Sequence, residues 1–73
     1  MTSTQSQSVA FNVRAAMQRK GKSQAAVGAV LNLSQQAVSR RLVGKVAWDV
    51  AELGTLAEFL GVSVASLIRE RAA

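Results

Sequence analysis

Apolar residues along the chain recur at three- and four-residue intervals, the period of a helix that buries one face. Each run is bracketed by residues that start or stop helices. In the first run Val9, Val13, Ala16 and Met17 share a side, with Ser8 ahead as candidate cap and Gly21 at the end. Ser23 then caps a short helix over Gln24–Leu31, with Val27, Val30 and Leu31 turned inward. A serine oxygen there accepts from a backbone N–H that the first helical turn leaves unpaired. Asn32 tolerates the left-handed conformation that a tight turn demands. Only Asn32 and Leu33 precede Ser34, the cap of a third helix over Gln35–Val43 that stops at Gly44. A link this short favours a steep crossing of the two helices. Asp49 and Glu52 have the D-x-x-E spacing of a capping box. Leu53, Leu56, Ala57 and Leu60 follow as a stripe ended by Gly61, and Ser63 caps a last helix carrying Val64, Leu67 and Ile68.

The pattern predicts an all-α domain of five short helices over residues 8–73, without strands, preceded by a flexible polar tail at residues 1–7. Trp48 is expected to plug the core between the third and fourth helices, and Phe11 and Phe59 to pack rather than bind.

Composition narrows the chemistry. With 73 residues the chain has room for one domain and a modest core. It has no Cys, His or Pro, which excludes disulfides, thiolate nucleophiles and the usual zinc-ligand sets. Two of the four carboxylates belong to the expected cap, leaving little for acid–base catalysis. Neither an enzyme nor a bound cofactor, metal or small-molecule ligand is expected. Charged and polar residues interrupt every apolar run short of the roughly 18–20 residues a membrane span needs. The start lacks the basic and apolar regions of a signal peptide. A cytoplasmic protein is the expectation. Charge is segregated: Arg14, Arg19, Lys20, Lys22, Arg40, Arg41 and Lys45 lie in residues 1–45 with no acidic residue. Residues 46–73 carry Arg69 and Arg71 against Asp49, Glu52, Glu58 and Glu70. The halves are thus +7 and −2, a distribution suited to one face meeting a polyanion.

The stretch from Ser23 to Lys45 gives that face a shape. Ser23-Gln24 starts one helix, Leu33-Ser34-Gln35 forms the turn, and Val38-Ser39-Arg40 and Gly44-Lys45 follow at fixed spacing. With the trailing Leu56-Ala57 and Leu60-Gly61-Val62-Ser63, the chain resembles the lambda-repressor/Cro-like (Xre-type) helix-turn-helix family from about Val9 to Ile68. In that family Gly28 falls where a small residue lets the two helices approach, and Asn32 stands where Gly is preferred. Val27, Leu33, Val38 and Leu42 supply the apolar seam.

The resemblance implies sequence-specific binding of double-stranded DNA by a small transcriptional regulator of phage or bacterial type. Val38 and Leu42 face the seam, so Gln35, Gln36, Ser39 and Arg40 project from the opposite side of the third helix. These are the expected base readers: Gln matches adenine N6 and N7, and Arg forks onto guanine O6 and N7. Lys22, Ser23, Gln24 and Lys45 are the implied DNA-backbone contacts, with Arg19 and Lys20 as lesser candidates. Arg41 is left open between a phosphate contact and an ion pair with Asp49 or Glu52. A homodimer on a two-fold operator is implied, with Val64 and Ile68 as candidate contacts if they are not core. The chain is expected to be either a compact Cro-like regulator or the N-terminal part of a longer repressor. The rival reading is a protein-interaction module of the antitoxin type on the same fold.

Overall fold

A computed structural model describes residues 4–70. Its described residues form five helices and no strand: α1 (Thr4–Lys20), α2 (Gln24–Leu31), α3 (Gln35–Leu42), α4 (Val50–Leu60) and α5 (Val64–Ile68). The predicted caps of the last four helices are all present. Ser23, Ser34 and Ser63 accept from Ala26, Ala37 and Ser66 backbone N–H groups at 3.0–3.1 Å. Asp49 accepts from Glu52 N at 2.7 Å while Glu52 Oε1 accepts from Asp49 N at 3.0 Å, completing the capping box. Asn32 takes φ 56°, ψ 45° at the end of α2.

The first helix departs from the prediction. It is already formed at Thr4, and Ser8 lies inside it, buried, instead of capping it. Residues 4–7 of the segment predicted as a tail lie within this helix; its remainder, residues 1–3, falls outside the described residues. The extra turn has a packing reason. Gly44 is buried beneath Gln7, and a β-carbon on it would sit 3.3 Å from Gln7 Cγ. At φ 84° this residue occupies the left-handed region in which a side chain is disfavoured. The third helix ends one residue earlier than predicted, with Val43 at φ −94°, ψ 0° as its closing residue.

The core joins Val9, Val13, Ala16 and Met17 of α1 to Val27, Val38, Leu42, Leu53, Leu56, Leu60 and Leu67. Trp48 closes it on the α3–α4 side as predicted, 7% exposed. α1 packs on α3, α4 and α5, whereas α2 packs on α3 and α4 only. That one-sided packing explains why Val30, predicted to face inward, is 40% exposed on the outer side of α2. Phe11, predicted to pack, is 38% exposed on α1 with the Arg14 guanidinium 5.9 Å from its ring centre. Phe59 does pack, partly buried against the core. α5 has five residues, too few to persist without tertiary support. Asn12 supplies part of that support, its Nδ2 donating to the Leu67 and Arg69 carbonyls at 3.0 and 2.7 Å.

Candidate nucleic-acid interface

α3 is built so that its two faces differ completely. Val38 and Leu42 are 0% and 3% exposed against the core, while Gln35, Gln36, Ser39 and Arg40 are all exposed on the other side. The four polar side chains thus share one outward surface. Their amide, hydroxyl and guanidinium groups are the donors and acceptors that can match base edges.

Both ends of this helix are fixed. At its start the Ser34 oxygen serves Ala37 N–H. At its end the chain folds back so that Lys45 N–H donates to the Arg40 carbonyl at 2.9 Å and Gly44 N–H to that of Arg41 at 3.2 Å, the paired bonds of a Schellman turn. The Arg14 guanidinium on α1 donates to the Leu42 carbonyl, another group the helix terminus leaves without an intrahelical partner. Lys45 is exposed beyond this closed turn, its backbone tied to the same residue whose side chain is Arg40.

The turn between α2 and α3 is equally tight. Leu33 N–H donates to the Gly28 carbonyl at 2.9 Å, and a β-carbon on Gly28 would lie 2.9 Å from the Leu33 carbonyl oxygen and 3.5 Å from Val38. The small residue is needed chiefly because the turn's own carbonyl folds over it, the contact with α3 through Val38 being an ordinary one. A groove of about 570 Å³ runs between α2 and α3, and it brings Gln24 and Gln35 onto one concave surface. Gln24, in the first turn of α2, stands where free N–H groups and the positive end of the helix dipole favour an anion.

The predicted backbone contacts do not all fall in the same place. Lys22, Ser23, Gln24 and Lys45 are exposed, as are Arg19 and Lys20 at the end of α1. Ser23 Oγ is committed as an acceptor to Ala26 N–H, leaving its hydroxyl proton to donate. Lys22 Nζ rests 4.9 Å from the centre of the Phe59 ring, a cation–π contact just ahead of α2. Arg41 makes its contacts within the fold. Its Nε donates to Glu52 Oε1 at 3.1 Å, its Nη1 to the Ala37 carbonyl at 3.0 Å, and its guanidinium sits 6.0 Å from the Trp48 ring. Only 18% of that side chain is exposed. Of the two carboxylates considered as ion-pair partners, Arg41 meets Glu52, while Asp49 Oδ1 accepts from Glu52 N–H in the α4 cap.

Arg14 and Gln7, which hold the far end of α3 and its closing turn, were not identified from the sequence. No spacing signal could have found them, since each acts across the fold on a residue about thirty positions away or more. Val64 and Ile68 are 38% and 45% exposed. Ile68 also borders an apolar groove of about 370 Å³ with Val9, Trp48, Val50 and Leu53.

Comparison with known families returns a match to a family described as helix-turn-helix over residues 13–67. No curated protein and no solved structure matches the chain.

Proposed function

The chain belongs to the lambda-repressor-like (Xre-type) helix-turn-helix family, a DNA-binding family, and from that premise we propose that it is a sequence-specific regulator of transcription that reads double-stranded DNA with α3. The observation that carries this reading is the exposure of Gln35, Gln36, Ser39 and Arg40 together on a helix whose opposite face is sealed into the core. In the proposed complex α3 lies in the major groove with its N-terminal residues on the base edges. Lys22, Ser23, Gln24 and Lys45 hold the flanking phosphates, which sets affinity and register without choosing sequence. The module acts by binding and not by catalysis, in the cytoplasm of a bacterium or of a phage-infected host.

One such helix buries too little surface for tight selective binding, so two copies are proposed to sit on half-sites about one helical turn, roughly 34 Å, apart. Val64 and Ile68 are the proposed contacts between copies. The same exposed residues motivate the second reading, an antitoxin-type module whose partner is another protein. Salt separates the two: counterion release makes DNA binding fall steeply with ionic strength, whereas an apolar protein contact is nearly indifferent to it.

Selection of bound duplexes from a random pool tests the primary reading. A two-fold-related site should emerge, and Gln35→Ala and Arg40→Ala should each relax one position per half, costing about 1–3 kcal/mol there. Lys45→Ala should weaken all sequences alike and reduce the salt slope by about 1. An unchanged preference in both Gln35→Ala and Arg40→Ala would refute the assignment.

A further inference from the structure

Arg41 follows Arg40 directly, and successive residues of an α-helix are rotated by about 100°. Whatever holds Arg41 against the body of the protein therefore adds to the burial of Val38 and Leu42 in setting the direction in which Arg40, Ser39 and Gln36 point. The holder is Glu52 of α4. A single oxygen, Glu52 Oε1, accepts both the Asp49 backbone N–H at 3.0 Å, as part of the α4 cap, and Arg41 Nε–H at 3.1 Å. The cap leaves the glutamate little freedom, so α3 is joined to a fixed point. Arg41 also donates back to the Ala37 carbonyl at 3.0 Å, which stiffens its own side chain. Both partners are largely shielded, with 18% and 15% of their side chains exposed. Salt therefore screens the pair less than it would an exposed one. Arg14 fixes the end of α3 through the Leu42 carbonyl, but a contact at a helix end leaves rotation about the axis less constrained.

We propose that the Arg41–Glu52 pair fine-tunes the rotation of α3 about its own axis beyond what the buried Val38 and Leu42 fix, making Arg41 and Glu52 positioning residues for base discrimination and not phosphate contacts. This rests on the reading of α3 as the base-reading helix. The pair lies on the core side of that helix, one residue from the outward-facing Arg40, so it influences recognition without touching DNA.

The test uses the full chain with Arg41→Met, Glu52→Gln and the double substitution, at a temperature where circular dichroism shows all three folded. Gln at position 52 retains an oxygen for the α4 cap, and Met at 41 retains the apolar stem beside Trp48. Three quantities are read: the affinity ratio between the selected duplex and a scrambled one, the slope of log affinity against log salt, and hydrogen exchange of the α3 amides without DNA. The expected result is a ratio lowered about tenfold in each single variant, comparable to the worth of one bidentate base contact. The double variant should lose no more than either single one. The salt slope should not change, and the amides of Val38 to Leu42 should exchange faster while those of α1 do not.

A slope reduced by about 1 in Arg41→Met, with all duplexes weakened alike, would make Arg41 a phosphate contact and overturn the proposal. So would an intact ratio accompanied by exchange that quickens evenly through the whole domain, the mark of a pair that serves stability alone. If the unsubstituted protein failed to distinguish duplexes while α3 exchange still responded selectively, the DNA reading itself would fall and the positioning role with it.

Discussion

At Gly28 a β-carbon would meet the Leu33 carbonyl oxygen at 2.9 Å, whereas at Gly54, exposed within α4, it would meet nothing within 4 Å. The two glycines therefore predict opposite signs. Gly28→Ala must push the turn carbonyl aside and should cost about 1–3 kcal/mol. Gly54→Ala relieves the entropic penalty of glycine in a helix and should gain about 0.5–1 kcal/mol. In a domain of this size each kcal/mol moves the melting temperature by roughly 4–8 °C, so calorimetry resolves both. Equal destabilisation by the two changes would contradict the packing around Gly28. Asn32, at φ 56°, offers a finer test. Asn32→Gly should be neutral or slightly stabilising, while Asn32→Val should cost about 1–2 kcal/mol because a β-branched residue resists that backbone.

α2 and α3 have eight residues each, below the length at which a helix sustains itself in water. Their ends and their buried faces make them stable, and the ends are legible in the sequence because caps are local. Ser23, Ser34, Asp49 and Ser63, read as N-caps from their offsets, all appear at their positions. Ser8 shows the limit of that reasoning. It has the right residue type, but Gln5 to Gln7 continue the helix backwards and Gln7 covers Gly44, so the serine is interior. Removing a true cap should be costly: Ser34→Ala is expected to destabilise the domain by about 1 kcal/mol. It should also quicken hydrogen exchange in the first turn of α3 more than in α1. A uniform response along the chain would show that Ser34 does not specifically hold that helix.

For the molecule as a whole, one core of aliphatic side chains carries the fold without disulfides among its 73 residues. Leu56 is fully buried at its centre. Leu56→Ala should cost about 2–5 kcal/mol, a large part of the roughly 5–15 kcal/mol that separates native from unfolded states. Urea unfolding reads this directly, and a loss under 1 kcal/mol would mean the centre of the core lies elsewhere. At this scale too stands the proposed pairing of copies. Val50 is 85% exposed and Ile68 45%, and both line a groove with the buried Trp48 and Leu53. Ile68→Glu should abolish concentration-dependent cooperativity on a two-half-site duplex while leaving single half-site binding nearly intact. Unaltered cooperativity would move the contact away from this surface.

Helical period, the caps of the last four helices, turn residues and the placement of Gln35, Gln36, Ser39 and Arg40 opposite Val38 and Leu42 were determined by the sequence itself. Each depends on neighbours within about four residues, and such relations survive in a linear pattern. The tertiary structure alone decided what joined distant positions: Arg41 onto Glu52, Arg14 onto the end of α3, Gln7 over Gly44, and the exposure of Phe11 and Val30. An apolar residue records a tendency to be covered, but which neighbour covers it, and which of two carboxylates an arginine meets, is settled only when the helices pack.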